Sequence, residues 1–121
     1  MDLLVFKEGH AHYKGNVYRC ALGRSGIKPN KSEGDGASPS GVFSLLEVMY
    51  RNDRHKAPVT ELPCTPIKKT SGWCDAPKDP AYNRLVSTPY RASFETLCRD
   101  DRLYDLVVVT SHNSNPVKSG A

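Results

Sequence analysis

Residues 31–43, Lys-Ser-Glu-Gly-Asp-Gly-Ala-Ser-Pro-Ser-Gly-Val-Phe, constrain the fold more than any other stretch of the chain. Their glycines and proline exclude a regular helix. Gly loses the most backbone entropy in a helix, and Pro lacks the amide donor and clashes with the preceding turn. The stretch therefore reads as a shaped, turn-rich loop that feeds the apolar residues 42–50. Loops of this kind often carry sites; a solvated connection is the alternative. Nine prolines and nine glycines in 121 residues extend the argument to the whole chain, which should consist of short strands and many turns.

The length suits one domain spanning residues 1–121. With 38% hydrophobic and 25% charged residues, the composition is neither disordered nor collagen-like. A net charge of +4 is mild, and the basic residues are scattered, so no nucleic-acid partner is expected. Cys20, Cys64, Cys74 and Cys98 lack the Cys-x-x-Cys spacing of a zinc or redox motif and read as reduced, mainly buried thiols. No basic, apolar leader opens the chain, and no run approaches the ~20 apolar residues of a membrane helix. No membrane association is expected, and the compartment is left open.

Residues 3–6 suit an opening strand, and Gly15-Asn16 marks a two-residue hairpin turn. Residues 23–41 read as loop and 42–50 as a strand. Short strands are expected within 59–66 and 84–87 of an otherwise irregular, proline-rich segment. Ser93 as an N-cap, with Glu95 in the first turn, predicts a short helix over residues 93–99. The β-branched run within 103–109 predicts a central strand buried on both faces.

Several constellations invite chemistry. Residues 26–32 imitate a phosphate loop, but Asn30 replaces the glycine before the lysine and Pro29 removes an amide, so that reading is rejected. His10 and His12 share a strand face and read as a surface pair in preference to two metal ligands. Glu33 and Asp35 would bind a cation or an ammonium group, or stabilise the turn. Cys74, between Trp73 and Asp75, lacks the electropositive setting of a nucleophile. His112, in Ser111-His-Asn-Ser-Asn-Pro116, follows a buried strand and would act as acid, base or donor, or merely end the strand.

Taken in order, these segments resemble a bacterial L,D-transpeptidase catalytic domain of the YkuD type. The resemblance is carried by Arg19-Cys-Ala-Leu-Gly23 with Gly26-Ile27, the 31–43 loop, and Gly72-Trp-Cys-Asp75. Asp79-Pro-Ala-Tyr82-Asn83 and Tyr104-Asp-Leu-Val-Val-Val109 with His112-Asn113 complete it. It implies a mainly β fold, a β-sandwich of mixed sheets with one or two short helices. It also implies cysteine-dependent acyl transfer on peptidoglycan stem peptides, without metal or cofactor, outside the inner membrane. Tyr82, Asn83, His112 and Asn113 carry over as scaffold or pocket wall.

The family's catalytic His and Cys lie in segments (Gly-Ser-Ala-Ile-Phe-x-His and Thr-x-Gly-Cys) that would follow residue 121. None of the four cysteines matches the nucleophile position. The expectation is thus a domain incomplete at its C-terminus, inactive as this chain, or a non-catalytic peptidoglycan-binding or interaction module. An open sheet edge beside residues 103–109 should favour self-association.

Overall fold

The computed structural model describes residues 2–121, which form two compact units, residues 2–41 and 42–121. The described residues are mainly β, with eleven strands and no helix.

The first unit opens with an antiparallel meander of β1 (Leu4–Phe6), β2 (His10–Tyr13) and β3 (Asn16–Arg19). The β2–β3 turn falls on Lys14-Gly15, one residue earlier than the Gly15-Asn16 signal implied. Both residues have positive φ (48° and 78°), as a type I′ turn requires, and Asn16 already pairs with Tyr13. His10 and His12 share a face, and the Phe6 ring tilts against His12 at 4.6 Å.

Residues 23–41, expected to be loop, contain a two-residue parallel pair, β4 (Ile27–Lys28) with β5 (Ser38–Pro39). Asp35 organises the turn between them. Its carboxylate accepts the Ser32 and Ala37 amides, each at 2.8 Å, and the Lys31 ammonium at 3.1 Å. The Ser32 amide bond, then that of Ala37, holds its pKa down at about 2. Gly23 is required here: a Cβ would lie 2.5 Å from the Gly36 carbonyl oxygen. Asp35 is therefore a turn-builder.

The second unit holds two three-stranded sheets. In one, β6 (Leu45–Tyr50) lies between antiparallel β11 (Leu106–Thr110) and parallel β7 (Cys64–Pro66). In the other, β8 (Ser71–Cys74) lies between antiparallel β10 (Phe94–Thr96) and β9 (Leu85–Ser87). Both sheets feed one core. Met49, Ile67 and Leu97 are buried there, flanked by Trp73, Cys98, Tyr104, Val107 and Val109.

Two expectations are corrected. The segment 93–99 is not a helix: Phe94–Thr96 pairs with β8, and the Ser93 carbonyl accepts the Asp75 amide at 3.2 Å. A helix this short is marginal by itself, and pairing with a central strand outweighs one cap. The strand within 103–109 is not central either. β11 stands at a sheet edge, with Leu106 56% and Val108 47% exposed.

An arginine cluster fixes the corner after β6. The Arg51 guanidinium, nearly buried, forks onto Asp53 at 2.8 and 2.7 Å and donates to the Arg99 carbonyl at 2.6 Å. Arg54 donates to the Asp101 carbonyl at 2.7 Å and, with His55, to the Asp105 carboxylate at 2.9 and 2.8 Å. These donors collect the acceptors of the loop leading into β11.

Candidate functional site

The site grows from Trp73, in the middle of the β10-β8-β9 sheet. Its neighbours across the strands are Glu95 and Leu85. The indole N–H donates to Asn83 Oδ1 at 3.0 Å. Asn83 closes the turn between β8 and β9, with φ of 57° and its amide donating to the Cys74 carbonyl at 2.9 Å. Asn tolerates this left-handed conformation better than most residues. The side-chain amide then donates to the carbonyls of Asn113 and His112, at 2.8 and 3.3 Å. One side chain thus ties β8 to the segment leaving β11.

Asp79 shapes the turn that presents Asn83. Its carboxylate, largely buried, accepts Tyr90 Oη at 2.5 Å, the Ala81 amide at 2.9 Å and the Arg91 guanidinium at 3.1 Å. These bonds, the Tyr90 hydroxyl first, keep its pKa below the usual carboxylate range and raise that of Tyr90. The wholly buried Cys74 thiol donates to the same carboxylate at 3.7 Å.

Asn113, with φ of 45°, repeats the device on the next segment. Its Nδ2 donates to the Lys118 and Ala121 carbonyls, and its Oδ1 accepts the Lys118 amide at 2.6 Å. Tyr82, 3% exposed, donates its hydroxyl to the Ala121 oxygen at 2.8 Å. The His112 ring meets Phe43 edge-on at 5.4 Å.

Between the Trp73 side of one sheet and β11 of the other lies a groove of about 240 Å3. Val107, Val109, Leu97 and Trp73 form its apolar wall, and Asn83, His112, Thr110 and Glu95 its polar margin. Glu95 accepts the Tyr104 hydroxyl at 2.6 Å. Burial, then this bond, pushes the Tyr104 pKa up to about 12.

The four residues singled out from sequence therefore meet in one cluster, but their positions differ. Asn83 and His112 border the groove. Tyr82 is buried and not among the lining residues, and Asn113 braces the segment that follows. The sequence marks Trp73 only as the neighbour of Cys74 and part of a motif, Glu95 as the acid of a helix start and Tyr104 as part of a motif, none of them as a site residue. Trp73 and Asn83 sit at unrelated spacings, and only the β8–β9 turn brings them together. Cysteine is not among the groove's lining residues. Cys64 donates weakly to the Leu62 carbonyl at 3.6 Å, and Cys98 packs against the core. Among the described residues, no cluster of three or more His, Cys, Asp or Glu is placed to hold a metal, and no helix is long and apolar enough to cross a membrane.

No family model, curated protein or solved structure matches the chain.

Proposed function

We propose that the chain carries the stem-peptide-binding wall of an L,D-transpeptidase-like domain and does not transfer acyl groups by itself. The reading begins with the ordered motifs of the sequence. The observation that carries it further is the convergence of Asn83 and His112, from distant segments, on the margin of one apolar groove at a strand end. An L,D-transpeptidase-like sandwich of mixed sheets is compatible with a core drawn from the β11-β6-β7 and β10-β8-β9 sheets.

The groove has the composition of a binding surface. Its apolar wall would accept small side chains of a peptide, while Glu95, whose Oε1 takes the Tyr104 hydroxyl, offers its second carboxylate oxygen for orientation at the margin. Acyl transfer needs more: an accessible thiolate with a base beside it. Cys74 is wholly buried against the Asp79 carboxylate, and none of Cys20, Cys64 and Cys98 lines the groove. The chain therefore binds without turning over.

Intact-mass spectrometry after incubation with a stem tetrapeptide, and separately with a carbapenem, tests the claim of inactivity. The expected result is an unchanged protein mass and no released D-alanine. A covalent adduct on any of the four cysteines would overturn it.

A further inference from the structure

β11 is an uncharged, β-branched strand, Leu-Val-Val-Val-Thr, and among the described residues it pairs with β6 alone. The ladder shows what its other side presents. Val48 and Tyr50 of β6 turn their backbones to β7: the Val48 amide donates to Pro63 and the Tyr50 carbonyl accepts from Ile67, at 2.9 and 2.7 Å. Met49 and Arg51 consequently turn toward β11, where the Arg51 amide donates to the Asp105 carbonyl at 3.0 Å. By the alternation of an antiparallel pair, Leu106 and Val108 direct their N–H and C=O groups outward.

This edge lacks the usual protection against pairing, since no Pro, Lys or other charge interrupts residues 106–110. The opposite edge of the same sheet is blunted, because Pro66 of β7 stands at an outward position and has no amide to offer. Head-to-tail growth of β11 onto β7 is thereby disfavoured, and a closed, two-fold arrangement remains.

We propose that β11 is completed in solution by β11 of a second copy of this chain, antiparallel, so that the two sheets become one continuous sheet. The charges allow it. With the two-fold axis through Val108, each Asp105 stands across from Ser111 and no like charges are opposed. The Asp105 carboxylate is already paired with Arg54 and His55, at 2.9 and 2.8 Å. A seam of five residues buries less than the ~1,200 Å2 of a standard stable interface, so the dimer forms in a concentration-dependent way. This inference is independent of the peptide-binding reading and survives its failure.

The test is sedimentation velocity of the reduced 121-residue chain from about 10 μM to about 1 mM. It is combined with hydrogen exchange resolved by residue. The expected result is a concentration-dependent shift from 13.4 kDa toward twice that mass. Exchange at the Leu106 and Val108 amides should slow by at least about tenfold over that range, while Val107, already bonded to β6, stays constant. Val108→Pro removes an outward donor while leaving the bonds to β6 their donors, and should hold the chain monomeric with its far-UV spectrum little changed. Should that variant misfold, the exchange pattern of the unmodified chain still decides. A strict monomer across the range, an open-ended polymer, or a dimer that leaves Leu106 and Val108 unprotected would each overturn the proposal.

Discussion

Replacing Asn83 separates two contributions that the structure combines in one residue. Its side chain makes two well-formed hydrogen bonds, from the Trp73 indole at 3.0 Å and to the Asn113 carbonyl at 2.8 Å, and a longer one to the His112 carbonyl. Part-buried bonds of this kind contribute about 1 kcal/mol each, so losing them costs roughly 2 kcal/mol. Its φ of 57° adds a second effect. An alanine forced into that region costs about 1–2 kcal/mol, whereas glycine enters it freely and loses only about 0.5–1 kcal/mol through the unfolded chain. Asn83→Ala should therefore lose about 3–4 kcal/mol and Asn83→Gly about 2.5–3 kcal/mol, an inversion of the usual preference for alanine. Urea unfolding followed by the fluorescence of Trp73, the only tryptophan, reads both values, with far-UV circular dichroism as a second probe. Alanine equal to or more stable than glycine, or either variant within about 0.5 kcal/mol of the parent, would refute the reasoning.

Met49→Ala, which empties the centre of the core at a residue 1% exposed, should destabilise the second unit by about 2–5 kcal/mol in the same assay. Acid sensitivity should follow the aspartates. Asp35, Asp53 and Asp101 are held down at about 2 in the fold against 3.8 for the free group, so their contribution is complete above about pH 4 and is lost as pH falls toward 2. Asp35→Asn should flatten that part of the stability-versus-pH curve; an unchanged slope would contradict the assignment. Tyr104→Phe should remove the phenol that ionises near pH 12 in an ultraviolet titration, a step absent from the parent if Glu95 and burial do not act on it.

The strands that were legible in the sequence carry local signals. Residues 3–6 alternate too little to be anything longer, and glycine marks the β2–β3 turn to within one residue. The 93–99 segment misleads because Ser93 and Glu95 satisfy the pattern of a helix start, while the decisive fact, the open side of β8, lies twenty residues away. β11 misleads differently: β-branched composition reports how well a residue suits a sheet, not how many strands flank it. The β4–β5 pair is too short to leave a period.

The site shows the same division. His112 stands out locally as a histidine at a strand end. Tyr82, Asn83 and Asn113 could be named only through a family pattern, because the bonds that tie Tyr82 and Asn83 to the C-terminal segment span 29 to 39 residues and end on backbone carbonyls that any sequence supplies. Trp73, Glu95 and Tyr104 leave no local trace of facing one groove. Their neighbourhood exists only once β8, β10 and β11 are in place.

The most direct test of the peptide-binding reading is a nuclear magnetic resonance titration of the isotopically labelled chain with a stem tetrapeptide, with intact mass recorded at its end point. The account predicts saturable shifts concentrated at the Trp73 indole N–H, the Asn83 side-chain amide and the His112 backbone, with no gain in mass. Shifts elsewhere, none at all at millimolar peptide, or a covalent adduct would contradict it.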